Sequence, residues 1–102
     1  MVVEYVRYQI PLEQGDDFAA AYARAGVVLD ADEHCLTHEV ARSVEEPENW
    51  VVRIEWDSLE GHEQGFRTAT HFADFVAEVR PFFAAIQEMK HYAVHSGTTA
   101  RG

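Results

Sequence analysis

Basic residues are scarce in this chain: 8 Lys+Arg stand against 18 Asp+Glu, a formal net charge of -10 over 102 residues. Displacing counterions from phosphates needs the opposite sign, so DNA, RNA and anionic membrane surfaces are excluded as expected partners. Protonating the six histidines near pH 5 to 6 would bring the charge to about -4. Cysteine is rarer still. Cys35 alone allows neither an intrachain disulfide nor a thiolate zinc site and points to a reducing compartment, with the cytoplasm as the expectation. Six Gly and three Pro are too few for a disordered or fibrous chain. There is no glycine-rich nucleotide motif of the GxGxxG or P-loop type. No long hydrophobic run occurs either: Glu4 and Arg7 interrupt the apolar start, so neither a signal peptide nor a membrane span is expected.

What is present is an apolar share of 47% in a length that suits one small core. Val2, Val6, Tyr8 and Ile10 alternate on one face of a first strand, with Glu4 breaking the apolar series and Val3, Tyr5, Arg7 and Gln9 opposite. Pro11 ends that strand. Phe18, Ala21, Tyr22, Ala25 and Leu29 then recur at helical spacing, with Asp16 and Asp17 in the first turn, where carboxylates suit the helix dipole. A second strand is expected with Leu36, His38, Val40, Arg42 and Val44 on one face and Cys35, Thr37, Glu39, Ala41 and Ser43 on the other. A turn over 45–49 leads to a third strand with the cleanest alternation, Trp50, Val52, Ile54 and Trp56 inward. Ser58 reads as the N-cap of a short helix whose inward residues are Leu59, His62 and Phe66. From His71, the series Phe72, Phe75, Val76, Val79, Phe83 and Ile86 predicts a strong amphipathic helix, kinked by Pro81 near Arg80. A fourth strand over 89–95 and a flexible tail over 96–102 complete a single domain spanning 1–95.

The order strand, helix, strand, strand, helix, strand is that of the ferredoxin-like α+β fold, with helices on one face of a four-stranded antiparallel sheet. Strands two and four are then edges. The helix-free face would carry Val3, Tyr5, Val51, Cys35 and Ala41, apolar enough to expect a second subunit over it.

Trp56-Asp57-Ser58-Leu59-Glu60, followed by Gly65-Phe66-Arg67-Thr68-Ala69-Thr70-His71-Phe72 and a Phe-rich helix, resembles the antibiotic biosynthesis monooxygenase family, the dimeric α+β barrel. Trp56, Ser58, Glu60, His71 and Phe72 carry the match. The resemblance implies a homodimer whose sheets face each other, with a pocket in each subunit between sheet and helices. It also implies a monooxygenase that uses O2 on an aromatic, polyketide or quinol-like molecule without cofactor. Heme binding or degradation is the alternative within the family. The positions of the heme-degrading set fall at Val6, Phe66 and Val76, however, and this ranks heme lower. A non-catalytic dimeric module that binds a small ligand is the reading from another class.

His62, on the inward stripe of its helix, is the first candidate for the base that ionises a substrate hydroxyl, and a pKa near 7 would suit that step. The competing view is a helix histidine bonded to a neighbouring carbonyl or carboxylate. His71 is the second candidate, at a helix start that usually faces water. Tyr22, Trp56, Phe66, Phe72 and Phe75 are candidates for the wall of an aromatic substrate site, and equally for core. His34 and His38, like His91 and His95, are four apart in strands, roughly 13 Å and too far to share an ion. Only His38 meeting His95 across subunits would make a metal site, so no metal ligand is assigned. The carboxylates at 16–17, 30–33, 45–48 and 57–63 are expected to form a solvated rim.

Overall fold

The computed structural model describes residues 1–97; of the expected tail, residues 98–102 lie outside the described residues. Four antiparallel strands, β1 (Val2–Gln9), β2 (Cys35–Arg42), β3 (Asn49–Trp56) and β4 (Ile86–Ala93), form one sheet in the order β2-β3-β1-β4. Helices α1 (Gly15–Asp30) and α2 (Phe72–Val79) pack beside each other on one face. This is the ferredoxin-like α+β arrangement, with β2 and β4 at the edges as expected.

Alternation in β1 and β3 builds the floor of the core. Val6, Tyr8 and Ile10 meet Trp50, Val52, Ile54 and Trp56, all buried. The α1 stripe of Phe18, Ala21, Tyr22, Ala25 and Leu29 closes over them, every member buried. Phe18 is the hub. Its ring lies 4.8 to 5.2 Å from those of Tyr8, Tyr22, Trp50 and Phe82, in the tilted and edge-on geometries that aromatic quadrupoles favour.

Three local expectations are corrected. A bulge between Cys35 and Thr37 puts Cys35 opposite Trp56, so its side chain packs against the core and not on the helix-free face, while Leu36 is exposed. The expected helix through Ile86 stops at Val79, because Pro81 has no N–H to continue the α ladder. A 3-10 segment, Arg80–Ala85, follows, and Ile86 already begins β4. After β3, Ser58 does act as a cap: its Oγ accepts the Gly61 N–H at 2.8 Å. The turn it opens, Gly61–Gly65, is π-helical, with the Phe66 N–H donating to the Gly61 carbonyl. That wider turn buries His62 and Phe66 and leaves Leu59 exposed.

Truncating the hub should be costly. Phe18→Ala is expected to lower unfolding free energy by about 3–5 kcal/mol, read from the urea midpoint at unchanged m-value.

Candidate active site

A cavity of about 420 Å³ lies between the sheet and the helices. Each substrate-wall candidate, Tyr22, Trp56, Phe66, Phe72 and Phe75, lines it, as do Val76, Val79, Phe83 and Met89. Phe66 links the aromatic wall, with ring centroids 5.1 to 5.3 Å from those of Trp56, Phe72 and Phe75. Val6, Phe66 and Val76, where the heme-degrading set would stand, present apolar side chains to the same space.

Polar groups meet this wall at a few points. Around Trp56, β1 brings Glu4, the π-helical turn brings His62 and β4 brings His91. The Trp56 indole N–H donates to Glu4 Oε1 at 3.1 Å, and the His62 ring stacks on the indole at 4.3 Å with planes 9° apart. His62 Nδ1 and His91 Nε2 share a hydrogen bond of 2.7 Å, one nitrogen donating and the other accepting. His62 Nε2 lies 3.6 Å from Glu4 Oε1. Glu4 and His62 are 5% and 4% exposed, and both line the cavity. Elsewhere on the wall the Tyr8 and Tyr22 hydroxyls bond to each other at 2.5 Å.

Burial sets the electrostatics. It pushes the Glu4 carboxyl above its ordinary value, against the opposing pull of the Trp56 N–H and the positive side chains nearby. It pushes the His62 imidazole down to about 3, helped by the Arg67 guanidinium and by His91. The expected pKa near 7 is therefore corrected: His62 is neutral at physiological pH. A neutral ring beside a carboxylate can still accept a hydrogen bond from a hydroxyl in the cavity, with Glu4 placed to offset the positive charge that a proton would bring. Burial and the neighbouring Tyr8 oxygen hold the Tyr22 hydroxyl well above its usual range, so it stays protonated.

His71 does not join this group. Its Nε2 bonds to Asp32 Oδ2 at 2.6 Å, outside the cavity lining. Asp32 is itself buried and also accepts the His34 backbone N–H at 2.9 Å, so this carboxylate leaves the expected solvated rim. His34 pairs with Asp57 at 2.8 Å, and His38 with Asp30 at 2.6 Å. His38 is thus satisfied within its own chain, and His91 turns to Glu4 and His62 without His95.

Sequence reasoning missed Glu4 and His91. The signal for Glu4 was its place as the charge interrupting an apolar strand face. For His91 it was the β1–β4 register, which sets the two residues directly opposite one another.

The family profile for antibiotic biosynthesis monooxygenase matches residues 1–78. A curated relative, the uncharacterized protein YczJ of Bacillus subtilis (strain 168), is 26% identical over 81 residues, which cover 79% of this chain and 83% of the relative. Among solved structures, a point mutant of SnoaB, a cofactor-independent oxygenase from Streptomyces nogalater, superposes with a TM-score of 0.78 at 12% identity, covering 94% of each chain. A protein from Chloroflexus aurantiacus J-10-fl that carries the antibiotic biosynthesis monooxygenase name gives 0.76 at 21% identity, covering 96% of each. At these identities the structures speak for the fold.

The His34–Asp57 pair gives the region a pH dependence whose sign is set. Asp57 raises the His34 imidazole above the ordinary 6.5, and His34 holds Asp57 below the ordinary 3.8. The histidine's share is fully present below 6.5 and is lost as pH rises through its raised value; the aspartate's is present above 3.8 and is lost on acidification. NMR titration should therefore find His34 at a lower pKa in Asp57→Asn than in the parent. The stability gap between the two proteins should close as pH rises above 6.5.

Proposed function

The chain belongs to the antibiotic biosynthesis monooxygenase family, and from that premise we propose that it oxidises an aromatic, quinol-like or polyketide small molecule with O2 and without a cofactor. The observation that carries this reading is a cavity whose wall is aromatic and whose acceptors, Glu4 and His62, are buried beside one another. Flat, electron-rich rings fit between Phe66, Phe72, Phe75 and Trp56. A phenolic hydroxyl directed at this pair would hydrogen-bond to the neutral His62 ring and pass its proton to the Glu4 carboxylate, whose hold on a proton burial has raised. The resulting anion can pass an electron to O2 held within the same apolar space. The reaction balances with substrate and oxygen alone: a ring C–H and the phenolic O–H give their two hydrogens to one oxygen atom, which leaves as water, the other oxygen atom becomes a new carbonyl opposite the one formed from the phenol, and the ring supplies the four electrons. Arg67, which lines the cavity and acts on both Glu4 and His62, is placed to lower the cost of negative charge. His71, tied to Asp32, keeps a supporting role at the start of α2.

The assembly we propose is a homodimer through the helix-free sheet face. Tyr5, Val51, Ala41 and the exposed Tyr92 support it, with Tyr5 and Tyr92 packed edge to face at 5.5 Å, while Val3 is already buried beneath its own chain. No described helix is long and apolar enough to cross a membrane. The lone thiol supports the cytoplasmic setting.

Oxygen uptake with a panel of dihydroxy-aromatics, run in chelator, is expected to fall at least about ten-fold in His62→Ala, within the range a positioned acid–base group contributes. His71→Ala should retain most of the rate. Uptake absent with every member of the panel, or unchanged in His62→Ala and Glu4→Gln, would count against the site. Sedimentation at micromolar concentration should give a dimer, and a monomer there would remove the shared sheet face.

A further inference from the structure

We propose that Glu4, His62 and His91 form a site for one first-row divalent transition metal ion, with coordination positions left open toward the aromatic cavity. One carboxylate oxygen and one ring nitrogen from each histidine lie within 4.8 Å of one another. Ligand atoms bound to a common ion at about 2.0–2.2 Å must lie within about 4.4 Å of one another, so small rotations of the side chains close the set.

The scaffold is favourable. Glu4 and His91 are a cross-strand pair on the two adjoining strands β1 and β4, and His62 descends on them from the π-helical turn. None of the three stands on a mobile loop tip. Trp56 fixes the carboxylate by its N–H to Oε1 and fixes the His62 ring plane by stacking, the kind of support that orients metal ligands. Two imidazoles and one carboxylate suit the first-row transition ions, where Mg2+ and Ca2+ want oxygen alone. Three protein ligands leave at least one position free, and Glu4 and His62 both line the cavity, so an oxygen donor of the cavity's occupant would complete the shell. Among the charged groups that act on these residues, Arg67 opposes a cation and Asp32 favours one.

This inference goes beyond the oxygenase reading and does not rest on it. A bound ion would occupy the acceptor atoms that the cofactor-free reaction uses, and for that reason the uptake assay above is run in chelator.

Cobalt(II) titrated into the chelator-treated chain at neutral pH is the direct test. The expected result is a visible d–d absorption saturating at one ion per chain. His91→Gln and Glu4→Gln should each weaken it at least about ten-fold. A variant with His34, His38 and His95 all changed to Gln should titrate like the parent. No absorption in the parent, or absorption that survives His91→Gln and disappears in the triple variant, overturns the site. His91 is only partly buried, so its variant is expected to keep the fold, which circular dichroism checks. If either single variant fails to fold, the imidazole 15N resonances of His62 and His91 in the parent decide instead. Both should shift saturably with zinc(II), and unmoved resonances overturn the proposal. A chain that binds no ion leaves oxygen uptake in chelator untouched as a measure of the oxygenase reading, and loss of uptake with intact cobalt binding separates the two the other way.

Discussion

One buried carboxylate organises this molecule. Glu4 stands in the middle of an otherwise apolar strand face, and a carboxylate in such a place is tolerable only when its oxygens are answered. Trp56 answers one from the neighbouring strand. Much of the local architecture follows from that contact. The indole is held flat as a shelf for His62, the π-helical turn lowers His62 onto the shelf, and His91 reaches across from β4 to take its remaining ring nitrogen. Replacing the group by a hydrocarbon would pack well enough, but the cavity would then have lost this polar point among its aromatic side chains.

The rest of the core walls that point with apolar side chains. α1 and the aromatic side chains of α2 form a roof, and the Tyr8–Tyr22 bond lets two hydroxyls line the same apolar space without admitting water to satisfy them. Negative charge is mostly carried outside this region. The exceptions are Glu4 and Asp32, each matched to a specific donor, so the large net charge places little unpaired charge in the interior.

How much of this was legible in the sequence depended on whether the governing interaction was local. The period of two in Trp50, Val52, Ile54 and Trp56 and the helical stripe from Phe18 to Leu29 report burial directly, and both appear as written. His62 on an inward stripe, and five of the aromatic side chains of the wall, were reachable by the same logic. The bulge at Cys35 was not, since it depends on how β2 is drawn against β3 and leaves no periodic trace until the strands are paired. Helix α2 ran too long on paper because apolar spacing continues past Pro81 while the backbone cannot. Glu4 and His91 are 87 positions apart in the numbering, and only strand order and register bring them together. His71 shows the opposite failure: its helix start suggested access to water or to the pocket, whereas a buried aspartate from another segment had already claimed it.

The register shifts have a further consequence for how this sheet meets its surroundings. One edge strand, β2, is bulged at Cys35, and the other, β4, shifts against β1 where Arg7 gives way to Tyr8. A foreign strand laid along either edge would find the spacing of free N–H and C=O groups broken at the first residues of β2 and of β4, and regular only beyond them. Edge addition thereby loses pairing at one end of each border. At those ends the borders of the sheet offer a neighbouring surface side chains rather than a continuous run of backbone groups.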